Sequence, residues 1–140
     1  MSTPETLTIP SRFECIDDAR RWVTQRLKAA GFADDPVGEV ELALTEALAN
    51  VIEHGYGGDG TGQIELTISD LPDKLTVRVR DWGRSADQAG FESRDLEDPG
   101  EGGYGVYLME QLMDDVTREP QADGGTLLTM IKQRKEEHDG

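Results

Sequence analysis

Glu46, Asn50 and His54 recur at four-residue intervals in the segment Glu41-Leu-Ala-Leu-Thr-Glu46-Ala-Leu-Ala-Asn50-Val-Ile-Glu-His54-Gly-Tyr56, so on a helix they form one row. Taking Val37 as origin and about 100° per residue, Val40, Leu44, Leu48 and Val51 cluster near zero, while the polar row falls roughly 180° to 260° away. A carboxylate can accept a proton or hold a metal. An amide oxygen is a hard, neutral ligand suited to Mg²⁺, a cation that keeps several waters and takes phosphate oxygens. The row therefore suits the metal of a nucleotide. It also suits the outer face of an ordinary amphipathic helix, and the choice falls to other segments.

Two further motifs carry chemistry. Asp81-Trp-Gly83 offers a carboxylate that can accept a hydrogen bond from an exocyclic amine, beside a glycine that lets a flat ring approach the backbone. Gly102-Gly103-Tyr104-Gly105-Val106 enters a helical pattern, which aims backbone N–H groups and the positive end of a helix dipole at an anion. Singly, each is an ordinary turn or connection; in this order they describe an adenine end and a phosphate end.

The elements that must position them follow from periodicity. Leu7 and Ile9 alternate with threonines before Pro10, predicting an edge strand. Ala19, Trp22, Val23, Leu27 and Ala30 predict a helix over 16–30 stopped by Gly31. Asp34 and Asp35 before Pro36 supply a capping acid and a first-turn proline for a second helix running to about His54. Residues 63–69 and 74–81 alternate as strands joined by Leu71-Pro72-Asp73, an antiparallel hairpin. From Trp82 to Gly103 no period persists, and a loop of that length in a small domain is usually functional or mobile. Helical spacing returns through Val106, Leu108, Met109 and Leu112, and Thr126 to Ile131 reads as a largely buried last strand after Gly124-Gly125. The charged tail from Lys132 is expected to fray, most of all over 136–140. The fold class expected is α+β, a two-layer sandwich with helices on one face of a mostly antiparallel sheet.

On these residues the chain resembles the GHKL, or Bergerat, ATP-binding superfamily, and within it anti-sigma factor serine/threonine kinases of the RsbW and SpoIIAB type. The N box of that family is similar to ExxxNxxxHxY, met by Glu46, Asn50, His54 and Tyr56; the first glycine box opens with DxG, met by Asp81 and Gly83. Its second glycine box resembles GGxGLxLxxxLMDEV, met from Gly102 to Val116. The resemblance implies that Asn50 coordinates Mg²⁺, that Asp81 bonds the adenine amino group with Gly83 against the ring, and that Thr126 supports that pocket. It implies that Gly102, Gly103, Tyr104, Gly105 and Val106 admit the phosphates of ATP under a lid, and that Glu46 is the general base toward a hydroxyl of a partner protein. His54 and Tyr56 are expected only to pack the helix end. The partners implied are a sigma factor, a STAS-domain anti-sigma factor antagonist and a second copy of the chain in a homodimer. A nucleotide-dependent binding module without phosphoryl transfer is the alternative. The stretch Arg84 to Phe91 departs from the family's compact GxGF lid, and Glu110 adds negative charge beside the phosphate box.

Bulk properties bound these readings. At 140 residues one domain over 1–140 is expected. With 29 acidic against 14 basic residues the net charge is −15, a field that opposes nucleic acid and anionic lipid and favours partners with basic faces. The single Cys15 excludes an internal disulfide and a cysteine metal site. No apolar run reaches the roughly 18 residues of a membrane span, and the first residues resemble no signal peptide, so a cytoplasmic location is expected.

Overall fold

The computed structural model describes residues 4–83 and 108–134. Five strands, β1 (Glu5–Pro10), β2 (Gln63–Asp70), β3 (Lys74–Asp81), β4 (Asp115–Pro120) and β5 (Thr126–Gln133), form one sheet in the order β1-β2-β3-β5-β4, with every neighbouring pair antiparallel. Helices α1 (Ile16–Ala29) and α2 (Asp34–Asn50) pack on one side of it. Alternation explains the packing: Ile64, Leu66 and Ile68 of β2, Val77 and Val79 of β3, and Leu128 and Met130 of β5 are buried against Val23, Leu27, Val40, Leu44 and Leu48 of the helices. Several of these are fully enclosed, and truncating one such leucine to alanine generally costs roughly 2 to 5 kcal/mol.

The expected edge strand, first helix and hairpin are present. Pro10 sits where β1 ends at the sheet margin, and Gly31, at φ +91°, stops α1. Leu71 donates its N–H to the carbonyl of Lys74 at 2.9 Å, closing the hairpin turn. Four expectations are corrected. The N-cap of α2 is Ala33, with no side-chain cap bond; Asp34 and Asp35 instead occupy the first turn, where negative charge meets the positive end of the helix. That helix does not continue unchanged to His54, because Val51–Gly55 widens into a π turn in which Tyr56 N–H reaches Val51 carbonyl at 2.9 Å. The last strand is buried on one face only, since Leu127, Thr129 and Ile131 are partly exposed. Strand β4 had no counterpart in the sequence reading: Asp-Val-Thr-Arg-Glu-Pro holds a single apolar residue, too little for a period of two to register.

The chain beyond β5 is anchored sooner than its charge suggests. Residues 132 and 133 belong to β5, and Arg134 donates to Ala30 carbonyl at 2.9 Å and to Leu71 carbonyl at 3.4 Å, pairs with Asp70, and stacks 4.6 Å from the centre of the Phe32 ring. This one side chain ties the end of α1 to the β2–β3 turn. Lys132 makes a comparable link, with Nζ 2.6 Å from Leu112 carbonyl and 2.6 Å from a Glu39 carboxylate oxygen, joining the helical residues 108–112 to α2. Residues 135–140 lie outside the described residues. Arg134→Met keeps the apolar stem and removes every donor, so it should lower unfolding stability by about 1 to 3 kcal/mol in a urea titration. An unchanged midpoint would show that water replaces these bonds without loss.

Candidate functional site

The end of α2 carries the first half of the site. Glu46 is partly exposed one turn before Asn50, which is only 8% exposed although it belongs to the polar row. Its amide nitrogen is buried and has no hydrogen-bond partner among the described residues. Leaving such a donor unpaired generally costs about 1 to 3 kcal/mol, so its retention marks a place where a ligand can complete it. Rotation of the amide presents either its oxygen, a cation ligand, or its N–H₂, a donor to an anionic oxygen. The π turn that follows is a geometry that recurs at functional sites, and it turns the chain so that Gly55 and Tyr56 face the end of β3.

The second half is built where β3 leaves the sheet. Asp81, 3% exposed, accepts the N–H of Gly83 at 2.9 Å. Burial pushes its carboxyl above the ordinary value, against the opposing effects of the Gly83 N–H, the Arg80 charge and the Thr126 N–H. Thr126, itself buried, thus meets the aspartate from β5 through its backbone. Glycine is required on both sides. A Cβ on Gly83 would stand 2.2 Å from Gly55 carbonyl oxygen, and one on Gly125, at φ +80°, would stand 2.0 Å from Asp81 carbonyl oxygen. Contact of Gly83 with Gly55 brings the helix end and the DxG turn together.

Three residues escaped the sequence reading. Arg80 donates to the carbonyls of Asp81 at 2.7 Å and Gly124 at 2.9 Å, pairs with Asp123 at 2.6 Å, and stacks 4.5 Å from the Trp82 ring. Gly125 provides the close approach just described. Tyr56, expected only to pack, donates its hydroxyl to Gln63 carbonyl at 2.6 Å and accepts the Trp82 N–H at 2.8 Å. Arg80 sits in a strand whose alternation already explains its outward side chain, so no sequence signal separated it from a solvated charge. His54 lies 3.8 Å from the Glu53 carboxylate. Glu110 is exposed within the helical residues 108–112. The expected phosphate box Gly102, Gly103, Tyr104, Gly105 and Val106, and the stretch Arg84 to Phe91, lie outside the described residues.

A buried carboxylate at the end of a central strand, backed by glycines and faced by an amide-bearing helix, defines a nucleotide-binding α+β domain. The chain belongs to the histidine kinase-like ATPase domain family, whose profile matches residues 9–132, and nucleotide use comes with that membership. Its relatives include the serine-protein kinase RsbW of Halalkalibacterium halodurans, 32% identical over 92% of this chain and 83% of that protein. The serine-protein kinase RsbW of Listeria monocytogenes is 34% identical over 79% of this chain and 76% of its own. Among solved structures, the RsbU and RsbW domains of a Mycobacterium tuberculosis protein superpose with TM-score 0.68 at 20% identity, covering 96% of this chain and 34% of that one. The catalytic domain of the histidine kinase ThkA superposes at 0.56 and 14% identity, covering 94% and 99%. At those identities the structures speak for the fold. Among the described residues no helix is long and apolar enough to cross a membrane.

The raised carboxyl of Asp81 has a stability consequence. The folded state holds this proton more tightly than the unfolded chain, so the group's contribution to stability is present in acid and is lost as pH rises through the folded value. At neutral pH the charged carboxylate is therefore a net cost in the free protein. Asp81→Asn still offers an oxygen to both N–H donors, and it should melt at or above the wild-type temperature at pH 7. The gap should close as pH falls toward 3.8. In the same variant, ATP affinity measured by calorimetry should fall roughly 5- to 150-fold. A lower melting temperature at pH 7 with ATP affinity intact would reverse both assignments.

Proposed function

We propose that this chain is an ATP-dependent protein serine/threonine kinase that acts as an anti-sigma factor and phosphorylates a STAS-domain antagonist in a partner-switching pathway. The observation that carries the reading is the buried, unpartnered amide of Asn50 one turn after Glu46, on a helix whose end packs against the Asp81 turn. Relatives of comparable length bearing the name serine-protein kinase support it.

Each residue then has a task. Asp81 accepts the exocyclic amine of adenine, and the N–H groups of Gly83 and Thr126 hold its carboxylate in place. Gly83 sits against the ring, the place of its missing Cβ filled by the Gly55 carbonyl. The residues Gly102, Gly103, Tyr104, Gly105 and Val106 receive the phosphates. Asn50 fits Mg²⁺ through its amide oxygen, and that cation, when bound, would draw charge from the phosphate oxygens. Glu46 accepts the proton of a seryl or threonyl hydroxyl of the antagonist as the hydroxyl oxygen bonds the γ-phosphorus and the bond from that phosphorus to the β–γ bridging oxygen breaks. Phosphoryl transfer otherwise rests on positioning, so a base one turn from the metal ligand is an economical arrangement.

The charge of −15 suits protein partners with basic faces, a sigma factor among them, and opposes nucleic acid and membrane as direct partners. A cytoplasmic homodimer completes the reading. Glu46→Gln keeps size and hydrogen bonding but removes the proton acceptor. With labelled ATP and the cognate STAS antagonist it should transfer phosphate roughly 10²- to 10⁴-fold more slowly, at nearly unchanged ATP affinity. Asn50→Ala should lose both binding and transfer. Transfer at the wild-type rate by Glu46→Gln, or none by wild type, would favour a nucleotide-dependent binding module instead.

A further inference from the structure

Tyr56 stands between the two halves of the site, and its ring and its hydroxyl are both committed. The hydroxyl donates to Gln63 carbonyl at 2.6 Å, at the start of β2, and accepts the N–H of Trp82 at 2.8 Å, the residue between Asp81 and Gly83. The ring packs closely against two glycines: a Cβ on Gly62 would stand 2.4 Å from Tyr56 Cε1, and one on Gly83 would stand 3.1 Å from Tyr56 Cδ1. Its own backbone N–H closes the π turn onto Val51, the residue after Asn50. One side chain thus spans from the helix that carries Glu46 and Asn50 to the turn that carries Asp81.

We propose that Tyr56 is a positioning residue that sets base selectivity, by fixing the Trp82 backbone and with it the aim of the Asp81 carboxylate at an adenine amine. This rests on the nucleotide reading given above and adds to it a residue that acts through the backbone, not by touching the nucleotide. The Asp81 carboxylate accepts the Gly83 N–H at 2.9 Å, with the Thr126 backbone beside it, but the Gly83 donor moves with the turn, and the Tyr56 hydroxyl takes the Trp82 N–H of that turn while Arg80 stacks on the Trp82 ring. Burial raises the phenol above its ordinary value, so the hydroxyl keeps its proton and remains a donor to Gln63 while it accepts from Trp82. Freed of that bond, the turn can relax and the carboxylate can drift. An acceptor that drifts loses affinity for a base with an amine at that position, while a base with a carbonyl there gains nothing from it in either case. A base-selective loss is therefore the signature of positioning, whereas general loosening of the fold lowers affinity for both bases by the same factor.

Two variants test this from opposite directions. Tyr56→Phe keeps the ring and removes the hydroxyl; Gly62→Ala keeps the hydroxyl and forces the ring aside, at a position whose backbone tolerates alanine. In calorimetric titrations of the full chain with ATP and with GTP in the presence of Mg²⁺, each variant should bind ATP roughly 3- to 10-fold more weakly, with GTP affinity unchanged. The Trp82 amide should exchange with deuterium faster in both variants by nuclear magnetic resonance. The double variant should be no worse than the weaker single one, because both act on the same bond. Equal factors lost for ATP and GTP, or wild-type ATP affinity in Tyr56→Phe, would overturn the inference while leaving the nucleotide site standing. Wild-type protein that binds no ATP would remove the nucleotide site itself.

Discussion

Everything at the candidate site depends on keeping a carboxylate, Asp81, out of water. A charge with 3% exposure is tolerated only when polar groups replace its hydration, and here the Gly83 N–H bonds it at 2.9 Å while the Thr126 backbone favours its charged form. Those groups can reach it only if three segments approach closely. Gly83 must lie on the Gly55 carbonyl, Gly125 must pass over the Asp81 carbonyl at positive φ, and β5 must pair with β3 in a register that brings Thr126 alongside. The glycines are thus consequences of the aspartate. Arg80 completes the arrangement from outside by holding the Asp81 and Gly124 carbonyls together, which fixes the β4–β5 turn against the end of β3.

The overall charge places a second demand on the site. A triphosphate approaching a protein of net charge −15 meets repulsion at distances beyond the roughly 8 Å over which physiological salt screens it. Local cations offer little relief among the described residues, because Arg80 is already spent on two carbonyls and Asp123. In the proposed function that leaves three sources of attraction: a divalent cation at Asn50, backbone N–H groups of the glycine-rich segment, and directed bonding at the adenine end. The first two act on phosphates generally. Selectivity must then come from the adenine end, which is why the aim of one buried carboxylate matters more here than it would on a basic surface.

Much of this was legible in the sequence, and the parts that were not share a cause. The row of Glu46, Asn50 and His54, the β2–β3 hairpin and the Asp81-x-Gly83 turn were all readable, because each is fixed by periodicity or by residue type at short range. The burial of Asn50 was not, since a helical wheel places it on the polar side with the partly exposed Glu46, whereas the folded chain covers it. Strand β4 lacked enough apolar residues to announce itself. Tyr56 and Arg80 were missed for a common reason: each acts on backbone atoms of other elements, those of Gln63, Trp82 and Gly124, and a bond to a main-chain carbonyl or N–H leaves no mark on the identity of the partner. Residues 84–107, where the sequence places the lid and the phosphate box, lie outside the described residues.

The two ends of the molecule use their polar groups differently. Far from the site, Arg134 and Lys132 use charge-assisted bonds to close helix ends and turns, binding α1, α2 and residues 108–112 to the sheet. At the site, the fold accepts an unpaired amide on Asn50, a desolvated carboxylate on Asp81 and a π turn between them. The unpaired amide and the desolvated carboxylate oppose stability in the free protein, and each ceases to do so once a complementary group is supplied. Arg26 Nε on α1 is also buried without a partner among the described residues, so it is the pairing of an unpaired amide with a desolvated carboxylate, at one strand end and one helix end, that argues for where a ligand belongs. The clamps and the site are then two parts of one design, in which stability gained at the far end allows the near end to remain incomplete until it is filled.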